Sequence, residues 1–415
     1  MISPPFIAGR RFANFSLCWL VLWLIFAAFV VARPDGSQSP FFASTNDLMR
    51  DFLNPMLYAA ERDPYHNPVN GLWEKSHPPL FYAALHGVQR FCRALEPEGG
   101  GIYLLAAALT MALSAAALLL LIERNAALPP GKRLMMMAIV LGSGLFLYAF
   151  ERGNLVLTAT ALSGFFLFCY DSKDRLVREL ALAALALAAG LKLAPAVFGL
   201  LLLYRRDFAG AARLALYGAA AIFLPFAALS GPLWDNLATL RLNMEENVTV
   251  YLARGMRFGP TALLAPLEDV LARRGWEVPP EALNQVLTAV FLPLSALLAL
   301  FAWHAPERWR QVLMLSLLPI FIPGNSNWYN ALYLIPAFVM FFNAASFRRR
   351  DHLVLAAFLV LLSPLQLNGW TMAARNAAVV LLFAESFLTG LLDFRRQWRN
   401  AAFHTLPPDV VGRDS

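Results

Sequence analysis

Charged residues are scarce in this chain of 415 residues: Asp, Glu, Lys and Arg make up 15% of it, against about 25% in ordinary soluble domains. Hydrophobic residues account for 59%, and the mean hydropathy is +0.55. A soluble fold of this length needs a polar exterior, so the composition excludes one, whereas helices in lipid satisfy their own backbone hydrogen bonds. The apolar runs are continuous rather than alternating, which excludes a transmembrane β-barrel. The sequence therefore predicts an all-α polytopic membrane protein.

Cysteine is also rare. The three cysteines, Cys18, Cys92 and Cys169, have no metal-ligand spacing, and their odd number argues against a disulfide framework. No cluster of His, Asp and Glu has metal-ligand spacing, and the basic connectors contain no Gly-rich phosphate-binding loop, so we expect neither a metal nor another cofactor. The basic residues form short clusters between apolar runs, which argues against a nucleic-acid partner and indicates membrane topology.

The basic clusters define a topology under the positive-inside rule. The first apolar run, 15–32, follows a pair of arginines and is too long for a signal peptide, so we expect a retained span and a cytoplasmic N-terminus. Two segments decide on which side the later basic clusters lie. If 80–95 is an amphipathic helix on the outer face, and if 179–204 enters the membrane and returns as two short helices that meet near Lys192, then all these clusters lie on the inner side. This interpretation predicts about twelve transmembrane helices with both termini cytoplasmic.

The chain is predicted to form a single transmembrane domain over residues 1–415. Its outer part comprises a large first loop, 34–101, with juxtamembrane helices, and a second loop, 230–284. A basic tail, 393–415, is placed in the cytoplasm. We expect a multi-pass protein that contacts membrane lipids in the plasma membrane, which in a bacterium is the inner membrane, with its polar site facing the periplasm.

Polar residues are densest in the first outer loop. Asp47 and Asp51 lie one helical turn apart and would share a helix face. Either carboxylate could act as a general base at the membrane surface, or both could cap helices in a solvated loop. The other candidates in this loop are Lys75 and His77 for an anionic donor group, and Tyr65 and His66 for a sugar or acceptor.

Two cations occupy unusual places. Lys192 lies between two apolar half-helices, where an ammonium is costly and functional residues concentrate, although snorkelling to the interface is an alternative. Arg152 belongs to a very short turn with Asn154. Both cations suit the phosphate of a lipid, and Asn154 suits a sugar; the alternative for Arg152 is an ion pair with neighbouring Glu151.

The late outer turn carries Asn327, Trp328 and Tyr329. Aromatic residues there are typical of the belt at a membrane interface, and they also suit stacking and hydrogen bonding to a sugar. In the second outer loop, Asn247 begins a formal N-glycosylation sequon, Asn-Val-Thr, a motif of low specificity.

Five short motifs follow one another in the chain: Asp51-Phe52-Leu53-Asn54, Asp63-Pro64-Tyr65, Pro78-Pro79-Leu80, Glu151-Arg152-Gly153-Asn154 and Leu191-Lys192-Leu193-Ala194-Pro195. Their order and spacing resemble the GT-C fold glycosyltransferases, and most closely glycosyltransferase family 87, the polyprenol-phosphate-sugar-dependent mannosyltransferase-like proteins. The resemblance covers most of residues 10–345. The chain departs from the family pattern in the late outer turn, where Tyr329 follows Trp328 and a histidine is frequent.

The resemblance implies an enzyme that moves a hexose or pentose from a polyprenyl-phosphate donor to a lipid or glycan acceptor at the outer face, with inversion. It implies that Asp51, with Asp47 as competitor, takes the acceptor proton, and that Lys192 and Arg152 stabilise the leaving phosphate. The alternatives are a transporter or flippase and a membrane protein without catalysis. A transporter should carry charges in several spans, whereas only Lys192 and Glu385 look deeply placed, and the chain lacks an internal repeat.

Overall fold

The computed structural model describes residues 4–32, 48–66, 75–96, 100–253, 258–322, 327–344, 347–364 and 369–404. Helices make up 83% of the described residues, which contain no strand, and this confirms the predicted all-α class. Most buried apolar side chains belong to one cluster that runs through the helices.

Helices of very different lengths follow one another along the chain. The α-helices are α1 (Pro4–Val31), α2 (Arg50–Ala59), α3 (Pro79–Leu95), α4 (Gly100–Asn125), α5 (Pro130–Leu141), α6 (Gly144–Glu151), α7 (Val156–Cys169), α8 (Arg175–Leu191), α9 (Leu200–Tyr204), α10 (Phe208–Phe223), α11 (Leu233–Ala253), α12 (Leu264–Ala272), α13 (Pro280–His304), α14 (Arg308–Phe321), α15 (Ile335–Asn343), α16 (Asp351–Leu361) and α17 (Gly369–His404). The 3₁₀ helices are Ala194–Gly199, Leu224–Ala228, Gly259–Leu263 and Trp328–Leu334.

Among the described residues, five helical segments are long and apolar enough to cross a membrane: Gly9–Ala28, Gly100–Asn125, Phe208–Ala228, Pro280–His304 and Trp370–Arg399. Helices α5 and α6 together make a sixth, bent by 56° at their junction. Shorter apolar helices complete the set, and the 14 residues of α7 cover only about 21 Å of a hydrocarbon core about 30 Å thick. These helices fit an integral multi-pass membrane protein, while the number of about twelve spans stays a prediction.

The segment 80–95 forms α3, a helix with one buried face. Its buried residues include Phe81 and Tyr82, whereas the opposite face exposes Arg90 and Arg93 together with Phe91. Seventeen residues are short for a span, and the two-faced pattern is that of an interfacial helix. The structure therefore agrees with the predicted amphipathic helix, and its location on the outer face remains a prediction.

The segment 179–204 breaks into short helices around Lys192, as predicted. Helix α8 ends at Leu191, Lys192 is extended with φ −146° and ψ 121°, and a 3₁₀ helix begins at Ala194. Pro195 cannot donate a backbone hydrogen bond, which disfavours a continuous α-helix here. Just before the break, a Cβ at Gly190 would lie 2.7 Å from a methyl carbon of Leu80, so this glycine lets the start of α3 pack against the end of α8.

A buried ionic cluster ties three helices together elsewhere in the bundle. Arg310 of α14, 1% exposed, forms ion pairs with Asp351 of α16 and with Glu385 of α17, the latter at 3.4 Å. Glu307 lies 3.2 Å from the same guanidinium. The deeply placed Glu385 therefore has a cationic partner, which is the condition for keeping a carboxylate buried in a bundle.

One face of α11 carries polar residues that bind the first outer loop. Asn243 donates to the carbonyl oxygens of Tyr65 and Lys75 at 3.1 and 3.5 Å, and Asn247 donates to Oγ of Ser76 at 2.8 Å. The Asn247 side chain is 3% exposed. Its amide is therefore part of the contact between the two outer loops, and the formal sequon does not present an accessible asparagine.

Candidate functional site

The Asp51 carboxylate, in the first turn of α2, is held by two side chains from the turn after α6. Its Oδ1 accepts hydrogen bonds from Nε and Nη2 of Arg152, at 3.0 and 2.6 Å, and its Oδ2 accepts one from Nδ2 of Asn154 at 2.7 Å. The Asp51 and Arg152 side chains are each 21% exposed. A charge-assisted contact of this kind, made by the planar arginine fork, fixes the direction of the carboxylate.

Backbone geometry brings this turn onto the start of α2. The N–H of Asp51 donates to the carbonyl oxygen of Arg152 at 2.9 Å, and the N–H of Met49 donates to that of Glu151 at 2.7 Å. Gly153 has φ +67°, and a Cβ there would lie 3.2 Å from the Cα of Met49. Glycine allows both the left-handed conformation and the close approach. The turn 151–154 can therefore bind both the backbone and the carboxylate of Asp51.

Asn154, which was predicted to contact a sugar, binds the Asp51 carboxylate in this structure. Its side chain is 3% exposed, and its Oδ1 accepts a hydrogen bond from the N–H of Val156 at 3.0 Å. An amide has both an acceptor and two donors, which lets one residue cap the start of α7 and bind Asp51. Arg152, predicted to contact a donor phosphate, is likewise engaged with Asp51.

The side chains of Lys192 and His77 both lie next to the ring of Phe81. The Nζ of Lys192 lies 5.3 Å from the centroid of that ring, and the His77 ring lies 4.1 Å from it. The Lys192 side chain is half-buried, and its ammonium is within electrostatic range of both Asp51 and His77. The segment that carries His77 and the break after α8 therefore lie close together.

The His77 imidazole is neutral at pH 7. Burial, and next to it the positive charge of Lys192, lowers the pKa of His77 well below its ordinary value of 6.5, because desolvation and a nearby cation both disfavour the charged imidazolium. A neutral imidazole still donates one hydrogen bond and accepts another. His77 can therefore contribute a hydrogen bond to an anionic group here, but no charge.

Tyr65 and Lys75 support the loop that carries His77. The Tyr65 side chain is 1% exposed, and its hydroxyl donates to the carbonyl oxygen of His77 at 3.2 Å. Its ring packs edge-on against Tyr82 at 5.4 Å. Lys75 is 8% exposed, and its carbonyl oxygen is bound by Asn243 of α11. These two predicted binding residues are thus placed in the packing beside the site.

His66 joins the two outer loops. Its Nδ1 lies 2.7 Å from a carboxylate oxygen of Asp63, and its Nε2 lies 3.1 Å from one of Asp235. Thr239 adds a hydrogen bond to the same Nε2 at 3.0 Å. His66, which was predicted to contact a sugar or the acceptor, therefore binds side chains of α11 and of its own loop.

The late outer turn packs on α6. The ring centroids of Trp328 and Tyr148 are 4.5 Å apart, and Tyr329 stacks on the same Tyr148 at 6.1 Å. Trp328 is 7% exposed, so protein atoms cover most of its side chain. Asn327 caps the 3₁₀ helix, since its Oδ1 accepts the N–H of Trp328 at 2.7 Å.

Two residues near the site were not singled out from the sequence. Tyr148 precedes Arg152 by one helical turn, and the Arg152 Cζ lies 5.8 Å from its ring centroid. Arg375 of α17 is 2% exposed, with its Cζ 4.6 Å from the Trp328 ring. Arg375 could have been found in the same way as Lys192, because each is a lone cation in an apolar helical segment. Tyr148 lies in an aromatic-rich span and offered no such signal.

Asp47, the competing base, lies outside the described residues, so the choice between the two carboxylates stays a prediction. Among the residues that the structure describes, no group of three or more His, Cys, Asp and Glu could hold a metal ion. What the geometry does assemble is an oriented carboxylate, a half-buried ammonium and a neutral imidazole. This set can accept a proton and neutralise an anion.

The helices and their apolar length are those of an integral multi-pass membrane protein. The model of glycosyltransferase family 87 matches residues 79–323, more than half of the chain, and the chain belongs to this family. The resemblance noted in the sequence is confirmed, and with it the class of membrane glycosyltransferase. No curated protein matches the sequence. The match includes Arg152, Asn154 and Lys192 and begins after Asp51.

Proposed function

We propose that this protein transfers a hexose or pentose from a polyprenyl-phosphate donor to a lipid or glycan acceptor at the outer face of the membrane, with inversion at the anomeric carbon. The observation that carries the proposal is the pairing of an oriented carboxylate, Asp51, with the half-buried ammonium of Lys192 within electrostatic range. Acceptor activation needs the first group, and a departing lipid phosphate needs the second.

Asp51 is proposed as the general base. Its Oδ1 takes both Arg152 contacts, whereas its Oδ2 accepts one hydrogen bond, from Asn154. A carboxylate oxygen has two lone pairs, so Oδ2 retains the capacity to accept the proton of an acceptor hydroxyl. The hydroxyl oxygen then bonds to the anomeric carbon on the face opposite the phosphate, and the bond from that carbon to the phosphate oxygen breaks.

Lys192 is proposed to bind the phosphate of the donor. The leaving polyprenyl phosphate carries away the electron pair of the broken bond, so negative charge grows on it during the reaction. A preorganised ammonium in a partly desolvated place stabilises that charge, and the neutral His77 beside it can donate a hydrogen bond. The mechanism invokes neither a metal nor an acid, because phosphate is a good leaving group once its charge is neutralised.

Family membership favours this function over transport or flipping. Glu385, one of the two charges that look deeply placed in the sequence, is paired with Arg310 in a cluster with Asp351. A carboxylate used in this way holds helices together and is not available to a passing ion.

The function is tested in proteoliposomes that contain the purified protein. Polyprenyl phosphates with different radiolabelled sugars are supplied with a membrane lipid extract, and a nucleotide sugar serves as comparison donor. We expect labelled product from at least one polyprenyl-phosphate sugar, with the anomeric configuration inverted. Transfer from the nucleotide sugar alone, or retention of configuration, would contradict the proposal.

The Lys192→Ala variant tests the phosphate contact. Hydrogen bonds to charged groups contribute about 1.5–3 kcal/mol, so we expect kcat/KM for the donor to fall roughly tenfold to a hundredfold. Lys173→Ala, which changes an exposed lysine of the connector before α8, is the matched control and should leave kcat/KM unchanged. An unchanged kcat/KM for Lys192→Ala would remove Lys192 from the donor site.

A further inference from the structure

Arg375 is a buried cation near the start of α17 to which the proposed mechanism gives no role. Its side chain is 2% exposed, and its Nη2 donates to the carbonyl oxygen of Ser363 at 3.3 Å. The next residue, Asn376, accepts the N–H of Gly259 at 3.0 Å, so this part of α17 is fastened to the 3₁₀ helix Gly259–Leu263. Burial of a guanidinium is costly, and such residues in membrane helices are candidates for function.

The Arg375 guanidinium begins a stack that ends at the candidate base. Its Cζ lies 4.6 Å from the Trp328 ring centroid, and the Trp328 and Tyr148 centroids are 4.5 Å apart. The Cζ of Arg152 lies 5.8 Å from the Tyr148 centroid, and Arg152 holds Asp51 through two hydrogen bonds. Two cations and two aromatic rings thus form a continuous series of contacts from α17 to the carboxylate.

We propose that Arg375 is a positioning residue of the active site: it fixes the plane of Trp328, and through Tyr148 it fixes the Arg152 guanidinium that orients Asp51. This inference rests on the proposed function, since it assigns Asp51 the role of base. Arg375 connects α17, which lies outside the family match, to the catalytic carboxylate.

Arg375 acts on the orientation of the Tyr148 ring and of the Arg152 guanidinium, and it adds no charge to the reacting groups. Tyr148 and Arg152 lie one helical turn apart and therefore share a face of the chain around α6, so a tilt of the Tyr148 ring displaces the guanidinium beside it. The Arg152 fork binds one carboxylate oxygen through two N–H groups, an arrangement sensitive to small rotations. A misplacement of about 1 Å can cost about a hundredfold in rate. A planar guanidinium stacks on indole, whereas an ammonium does not.

The kinetic test compares Arg375→Gln and Arg375→Lys with the unaltered protein, with a polyprenyl-phosphate sugar as donor. For both variants we expect kcat to fall roughly tenfold to a hundredfold while the KM for the donor stays unchanged. In a Trp328→Phe background, Arg375→Gln should add little, because the two residues act as a unit. An increase in KM at unchanged kcat would overturn the positioning role, since it would indicate direct contact with a substrate.

A second readout does not depend on turnover. In protein labelled with 5-fluorotryptophan, the ¹⁹F resonance of Trp328 is the one lost in Trp328→Phe. We expect it to shift in both Arg375 variants and to stay in place in Arg308→Gln, which removes another arginine stacked on an aromatic ring, 4.8 Å from the centroid of Tyr170. If Arg375→Gln does not fold, the Trp328 resonance of Arg375→Lys is the measurement that tests the inference. A Trp328 resonance that does not move in a folded Arg375 variant would overturn the inference, even if polyprenyl-phosphate transfer itself were not observed.

Discussion

Replacement of Asp51 by asparagine tests the proposed chemistry most directly. The substitution keeps the size of the side chain but removes its charge and one acceptor. Arg152 then faces a neutral amide oxygen, and the new NH₂ group faces the NH₂ group of Asn154, which donates to this position at 2.7 Å. Loss of charge-assisted hydrogen bonds at this partly buried pair should lower the free energy of unfolding by about 1–3 kcal/mol.

The effect on the reaction should be much larger than the effect on stability. A positioned general base contributes about 10²- to 10⁴-fold, which corresponds to roughly 3–5 kcal/mol of activation free energy. An asparagine cannot accept the proton, so kcat should fall by at least about a hundredfold, while the KM for the donor changes little. The assay is single-donor transfer in proteoliposomes, with thermal unfolding in detergent as the check on folding.

Two other aspartates of the chain serve as comparisons for Asp51→Asn. Asp269→Asn changes an exposed residue of α12 that pairs with Arg273, a surface pair worth about 0–1 kcal/mol, and should leave kcat unaltered. If Asp51→Asn keeps more than about a tenth of the wild-type kcat in a folded protein, Asp51 is not the base. A collapse of activity in Asp47→Asn alone would then assign that role to Asp47.

The remaining predictions concern stability. Arg310→Met leaves Asp351 and Glu385 buried without their cation, so the free energy of unfolding should fall by about 3–5 kcal/mol, measured as a lower unfolding temperature; the exposed Arg396→Gln should show no such loss, and an equal loss in both would contradict the argument. His77 should make the fold sensitive to acid, because its pKa lies below 6.5 when folded and the unfolded chain binds more protons as the pH drops below that value. Unfolding temperature should therefore decline less between pH 7 and pH 5 in His77→Gln than in the unaltered protein, and identical declines would refute this reasoning.

Local features of the fold could be predicted because they depend on neighbouring residues. The break at Lys192 follows from Pro195, which interrupts the backbone hydrogen bonding of a helix. The helix α3, with one buried and one exposed face, follows from its two-sided composition. The turn after α6 follows from Gly153, whose positive φ is readily adopted by glycine. Each of these signals lies within one or two helical turns of the structure it specifies.

The partners within the site could not be predicted in the same way. The contact of Arg152 with Asp51, 101 positions away in the chain, was not among the contacts predicted for this arginine. Arg375 was not selected, although a cation in an apolar helix called for the same interpretation as Lys192. Such pairings depend on how helices pack at long range, and a single sequence reports residue types without reporting their neighbours.

Composition, apolar length and motif order are properties of the chain alone, so they were enough to predict a membrane protein, its helical class and its family. The tertiary structure was needed to show that Arg152 holds the Asp51 carboxylate and that Lys192 does not. Arg152 and Asn154 reach Asp51 because Gly153 lets two backbones come close, and Lys192 approaches because α3 packs on α8 at Gly190. These are contacts between distant segments, and they exist only once the helices have packed.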